Sequence, residues 1–340
     1  MKNNFYDIIT FGAASEDIYL KSKKFFPVSD KYFQTGKGLC FNAGSKIEIE
    51  DVFLCSGGGG TNSAATFANQ GFSVAYCGMI GYDYFGNSIV RELEDLKVST
   101  SLIRKNKKEK TNVSVILTYP GEDKTVLVYR GASDSFGKND ILWREIKDAK
   151  WFYMAPSSGK LGELTEYIID FAKKNKIKIA FNPGYNQLKL PPKTLKRILN
   201  KIDILILNQE EASLITKIPF NNEQEIFKKL DALTKGICIM TKGPEGAVVS
   251  DGKYLYRANS LKAKLVDSTG AGDSFGSGFV SGFIKTGKIV YAIQLAMANS
   301  VSNIKEFGAK EGLLLASQGF KKVKVTKTSC GLSNICIKKQ

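Results

Sequence analysis

Two glycine-rich segments hold most of the residues able to do chemistry. One, Asp267-Ser268-Thr269-Gly270-Ala271-Gly272-Asp273-Ser274-Phe275, opens a helix of small residues. Amides of Gly270, Ala271 and Gly272 at a helix start lack intrahelical partners, and the helix dipole favours an anion there, so the segment reads as a phosphate cradle. Asp273 falls in the first turn. It either caps the helix or faces a substrate and accepts a hydroxyl proton. Gly276, Gly278 and Gly282 follow, each costing about 1 kcal/mol relative to alanine inside a helix, so another element must pack very close. The other segment, Ser56 to Ala65, carries Gly57, Gly58, Gly59 and Gly60, then Thr61 and Asn62, between a strand and an alanine-rich helix. It lacks the third glycine of a dinucleotide fingerprint, and the next strand, Ser73 to Cys77, does not end in a ribose-binding acid. Four glycines in a row cost more conformational entropy than a plain turn requires, so ligand contact is expected there.

Several chemistries are excluded. The chain of 340 residues has no histidine, which removes Ser-His-Asp and Cys-His catalysis and histidine-ligated zinc. Its six cysteines form no C-x-x-C pair and read as reduced core thiols. No G-x-x-x-x-G-K-[ST] segment is present, so the chain is not a P-loop NTPase. A net charge of +16 raises the question of a polyanion partner. Only six of the 49 cations are arginine, and the lysines are scattered through every segment, which describes a solvated surface rather than a nucleic-acid footprint. No apolar run reaches the ~18 residues of a membrane span, and the N-terminal run interrupted by Asp7 reads as a strand rather than a signal peptide, so a cytoplasmic protein is expected.

The elements that must position these residues are legible by period. Residues 5–12 read as a buried strand, and Ile47 to Cys55 alternates apolar with acidic residues. Thr111 to Tyr119 and Thr125 to Tyr129 flank the turn Pro120-Gly121-Glu122-Asp123, which suggests a small antiparallel sheet beside the main domain. Strands at Trp151 to Met154, Ile177 to Phe181, Asp203 to Leu207 and Ile237 to Met240 alternate with helical spacing at Leu161, Leu164, Ile168, Phe171 and at Ile226, Leu230, Leu233. Repeated βαβ units imply a mainly parallel sheet covered by helices, with ligands at the carboxyl ends of its strands. The lysine-rich tail after Gly319 fits no element.

The segment D-S-T-G-A-G-D-S-F closely resembles the C-terminal signature of the ribokinase-like (PfkB) carbohydrate kinases, and G-G-G-G-T-N-S-A-A-T-F-A-N-Q-G resembles their N-terminal signature. Order and separation agree, and the similarity runs from about Phe5 to Gly312. The resemblance implies a three-layer α/β domain over residues 1–320, a central mostly parallel sheet flanked by helices, with a small β-lid formed from about 17–56 and 111–130 and residues 321–340 left as an unassigned tail. It implies an ATP-dependent sugar kinase with Asp273 as base and an anion hole at Gly270, Ala271 and Gly272. Asp17, Gly58, Gly59 and Asn62 match acceptor-binding positions, with Arg130 a further cation near the lid. Asn208, Thr241, Lys242, Gly243, Gly246, Asn299 and Gly308 match the ATP side. Glu211 would orient Mg²⁺, and Asp267 and Thr269 match positions that often hold a monovalent cation such as K⁺.

Two departures concern the acceptor: ribose-phosphorylating members carry a lysine where this chain has Gly59, and an acid after Met154 that is absent here, so ribose does not carry over. With only Arg130 cationic among the acceptor positions, an unphosphorylated sugar is expected. The alternatives are a nucleoside kinase of the same superfamily, with Phe33, Phe41 and Tyr129 as a base pocket, and a non-catalytic sugar- or polyanion-binding protein. A homodimer through the lid is also expected.

Overall fold

The computed structural model describes residues 5–25, 27–33, 36–119 and 124–329. The turn at 120–123, Cys330 and Cys336 lie outside the described residues. Ten strands form the central sheet, in the order Val325–Ser329, Tyr254–Ala258, Ala247–Ser250, Ile237–Thr241, Ile204–Asn208, Lys178–Phe181, Trp151–Met154, Ile8–Phe11, Val74–Gly81 and Ile103–Asn106. The first four pair antiparallel with one another; from Ile237–Thr241 onward every pair is parallel.

Alternate residues of the parallel strands feed two cores. Ile9, Phe152, Ile179 and Leu205 point into one, while Ile8, Tyr153, Ala180 and Ile204 point into the other. Both faces are dry, which is why these strands read as continuous apolar runs. The expected crowding on the signature helix, Ala271–Thr286, is present. A Cβ at Gly282 would lie 2.8 Å from Cα of Ala292 in the next helix, Ile289–Asn303, and one at Gly276 would lie 2.5 Å from the Tyr153 hydroxyl.

A separate four-stranded sheet, ordered Asp51–Gly57, Ser15–Lys21, Asn112–Thr118 and Thr125–Tyr129, sits beside the main one. Its second strand pairs antiparallel with Asp51–Gly57 and parallel with Asn112–Thr118, so the sheet is mixed rather than wholly antiparallel as its hairpin suggests. Pro27–Ser29 and Lys37–Leu39 pair antiparallel as a separate two-stranded ladder. The tail differs from expectation too. Val325–Ser329 adds antiparallel to Tyr254–Ala258, and Lys327 lies over the Tyr254 ring at 3.7 Å. An edge strand carrying lysine has almost no apolar pattern to read, because lysine is what keeps an edge from pairing further.

Candidate active site

Gly270, at φ 77°, starts the signature helix without a side-chain cap. The Asp273 carboxylate therefore does not serve the helix; instead it accepts from Asn62 Nδ2 at 2.9 Å. Ala271 N bonds Ser268 O at 3.3 Å, while the amides of Gly270, Gly272 and Asp273 have no partner among the described residues. Burial pushes the Asp273 carboxyl above its usual range, against the Asn62 hydrogen bond and the positive charge of Lys310. The glycine run belongs to the same place. Gly58, at φ 94°, turns the chain into the helix Gly59–Asn69, and a Cβ on Gly59 would approach Asp273 Oδ1 to 3.2 Å. Asn62 is buried and its Oδ1 has no partner, so an acceptor oxygen is left for a donor that the fold does not supply.

Asp17 comes from the small sheet. It is 6% exposed, accepts from Ser15 Oγ at 3.1 Å, and lies so close over Gly57 that a Cβ there would meet its Oδ2 at 2.1 Å. Burial raises its carboxyl as well, with a hydrogen bond from Ser114 opposing.

Two cavities meet at Thr241 and Gly272. The larger, about 700 Å³, has largely apolar walls that include Leu265, Phe275, Met297 and Val301. The smaller, about 190 Å³, is lined by Pro156, Asn182, Asn208, Glu211, Gly270 and Asp273 among others. Four of its walls, Pro156, Asn182, Asn208 and Thr241, lie at or just past the carboxyl ends of neighbouring parallel strands, where an open α/β sheet binds ligands. Asn208 and Glu211 also form a reciprocal helix cap: Asn208 Oδ1 accepts from Glu211 N and Glu211 Oε2 from Asn208 N, both at 2.8 Å. Burial raises the Glu211 carboxyl, and the nearby charge of Asp273 adds to this.

Other expected residues separate. Thr241, Gly243 and Gly246 line the larger cavity. Lys242 does not, since its ammonium is held by Glu223 at 3.2 Å and Glu245 at 3.1 Å. Asn299 was expected beside adenine but is fully buried and committed elsewhere: its Nδ2 donates to Ser274 O at 2.8 Å and its Oδ1 accepts from Leu314 N at 2.8 Å. Gly308 is turned away from the cavity too, donating its amide to Asp267 Oδ2 at 3.2 Å. Arg130 is exposed and donates to Ser158 Oγ at 3.0 Å. Asp267 and Thr269 both contact the ammonium of Lys124.

The most informative residue missed from the sequence is Lys310. Its side chain is 4% exposed and its ammonium contacts Ser56 Oγ and, at 3.4 Å, Glu92 Oε2. Glu16, buried beside this group, has its carboxyl pushed up to about 7 by desolvation and by the charges of Glu92 and Asp17. Nothing in G-A-K-E-G distinguishes Lys310 from the many solvated lysines; only the fold brings it to four acids drawn from distant segments.

The pfkB family carbohydrate kinase model matches residues 28–314. The chain belongs to this family. As a pfkB carbohydrate kinase it is a phosphotransferase with an alcohol acceptor. It is 29% identical over 286 residues to the ribokinase of Lactococcus lactis subsp. lactis, spanning 83% of this chain and 90% of that protein. It is 28% identical over 274 residues to the ATP-dependent 6-phosphofructokinase of Thermoanaerobacterium thermosaccharolyticum, spanning 78% and 84%. Among solved structures, the Arabidopsis thaliana ribokinase complexed with ribose and ATP superposes with a TM-score of 0.76 at 20% identity, covering 92% of this chain and 96% of that one. The ribokinase-like fold is thereby shared: a large sheet flanked by helices with a small separate sheet. No helix among the described residues is long and apolar enough to cross a membrane.

Proposed function

We propose that this pfkB kinase transfers the γ-phosphoryl group of ATP to a hydroxymethyl group of a small unphosphorylated sugar, with Asp273 taking the hydroxyl proton. One observation carries the reading: the Asp273 carboxylate is released from capping its own helix, held by Asn62, and set beside unpaired amides on the wall of the smaller cavity. Phosphoryl transfer asks the protein for an aligned hydroxyl and a cradle for developing charge, and little else. ATP in the larger cavity would direct its terminal phosphate past Gly272 toward Asp273, because Thr241 and Gly272 wall both spaces. The free amides at 270 and 272 would receive that charge. Glu211 and Asn208 present oxygen donors to the same cavity, a donor set suited to Mg²⁺. When bound, Mg²⁺ supplies neutralisation of phosphate charge.

On the acceptor side, Asp17 accepts sugar hydroxyls and the unpartnered Asn62 Oδ1 takes another. The small sheet that carries Asp17 acts as a lid excluding water from the transferred group. A phosphorylated acceptor would need a free cation. Lys310, the cation near Asp17 and Asp273, is sequestered by Glu92 and Ser56, and Arg130 leans on Ser158 in solvent. The nucleoside alternative finds less support: the Phe41 ring packs on Phe25 at 5.6 Å, and Phe33 lies against Gly38.

The face of the small sheet opposite Asp17 exposes Val52 (50%), Leu54 (58%) and Leu127 (56%), an apolar face that a second copy of the lid would cover. ATP as donor and the free thiols Cys40, Cys55 and Cys77 suit the cytoplasm. The test is an ATP-consumption screen over ribose, fructose, 2-keto-3-deoxygluconate, adenosine, inosine, cytidine and fructose 6-phosphate. Turnover with an unphosphorylated sugar is expected. Efficient use of fructose 6-phosphate, abolished by Arg130→Ala, would overturn the choice of acceptor.

A further inference from the structure

One carboxylate between the small sheet and the anion-binding turn has every lone pair in use. Asp267, 6% exposed, accepts at Oδ1 from Thr269 N (3.0 Å), Thr269 Oγ1 (2.7 Å) and Lys124 Nζ (3.1 Å). At Oδ2 it accepts from Tyr19 OH (2.7 Å) and Gly308 N (3.2 Å). These donors hold its carboxyl below the usual range against the cost of burial. Lys124 Nζ also contacts Thr269 Oγ1. The resemblance assigns Asp267 and Thr269 to a monovalent cation, yet a unit positive charge already bridges those two oxygens and is covalently part of the chain. A metal ion bridging the same atoms would have to displace an ammonium from a charge-assisted pair.

Two of the five donors, Tyr19 and Lys124, belong to or adjoin strands of the small sheet, and Thr269 immediately precedes Gly270. We infer that Lys124 is a tethered cation which takes the place of a monovalent metal ion and fastens the small sheet to the turn that presents the Gly270 and Gly272 amides. It is a positioning residue: it touches no reacting atom, and it acts by fixing the turn. The inference rests on the phosphoryl-transfer reading for its kinetic consequence and on the ion pair alone for its binding consequence. Neutralising Lys124 leaves Asp267 a buried, partly uncompensated carboxylate, which is the condition under which a small cation binds.

The experiment compares KCl with choline chloride at constant ionic strength, for the full chain and for Lys124→Ala, reading both turnover and thermal unfolding. Wild type is expected to respond to K⁺ by less than about twofold in turnover and with no K⁺-specific rise in Tm. Lys124→Ala is expected to lose about tenfold or more in turnover, recover part of it specifically with K⁺, and gain a K⁺-specific rise in Tm, since an ion that binds only the folded state stabilises it. Lys124→Gln serves where the alanine variant folds poorly, and Lys124→Arg should retain the wild-type indifference to K⁺. Strong activation or stabilisation of wild type by K⁺ would overturn the inference. So would a Lys124→Ala protein with no K⁺ response in either readout. If no acceptor supports turnover, the kinase reading fails by itself and the unfolding comparison still decides the ion.

Discussion

The two sides of the site are built from different materials. The proposed nucleotide side is a cavity of about 700 Å³ made of apolar walls and backbone, with Lys242 turned out to Glu223 and Glu245. The proposed acceptor side gathers acids from two distant segments, Glu16 and Asp17 from a strand of the small sheet and Asp267 and Asp273 from the signature segment, and balances them with Lys124 and Lys310. An apolar wall tolerates the loss of one contact, whereas a cluster of buried charges changes protonation when one member is removed. Substitutions should therefore alter ATP affinity weakly on one side, and both turnover and its pH dependence strongly on the other.

The largest effect is expected at the reacting hydroxyl. Asp273→Asn should lower turnover by at least ~10², the low end of general-base contributions, with ATP affinity by calorimetry nearly unchanged. Turnover within a few-fold of wild type would remove Asp273 from its role. Next comes Lys310→Met. Without this cation the ionised forms of Asp17 and Asp273 are less favoured, so their carboxyls rise further and the acidic limb of the kcat/KM profile moves to higher pH. We expect about a tenfold loss in kcat/KM for the sugar near that limb, an unchanged KM for ATP, and a near-normal profile in Lys310→Arg. An unmoved limb would make Lys310 a purely structural tie.

On the nucleotide side, Leu265→Ala trims a wall that is already 61% exposed. Losing roughly 1 kcal/mol of apolar contact should raise the KM for ATP about fivefold or less and leave kcat alone. A kcat effect as large as that of Lys310→Met would erase the contrast between the two sides.

The smallest effect concerns stability. Glu16 has its carboxyl raised from 4.5 to about 7, so the folded state binds more protons than the unfolded state in that window and stability falls as pH rises through it. Glu16→Gln should remove that fall, raising Tm above pH 7 by about 1–2 °C, the equivalent of roughly 1 kcal/mol for a chain of this length, and changing little below pH 4.5. A uniform shift at every pH would point to packing rather than charge.

The same contrast explains what could be read from the chain. The helix start at 270–273 and the glycine run at 57–60 are each contiguous, and their glycines answer to local backbone demands such as the positive φ at Gly58 and Gly270, so their backbone geometry was legible. Strands such as Trp151–Met154 were legible because a buried parallel strand is an unbroken apolar run. Lys310 and Lys124 were not, because their meaning comes from partners such as Glu92 and Asp267, more than a hundred residues away. Asn299 misled for the opposite reason: its sequence position suits an adenine contact, but tertiary packing spends its amide on Ser274 and Leu314. Val325–Ser329 left no signal because its partner is a single edge.

The most direct measurement is proton-coupled ³¹P NMR of the reaction with and without the best unphosphorylated sugar. ATP should persist without acceptor. With it, a new phosphomonoester should appear as a triplet, split by the two protons of a hydroxymethyl carbon. Inorganic phosphate formed at the same rate in both samples, or an ester on a carbon bearing one proton, would contradict transfer to a hydroxymethyl group under Asp273.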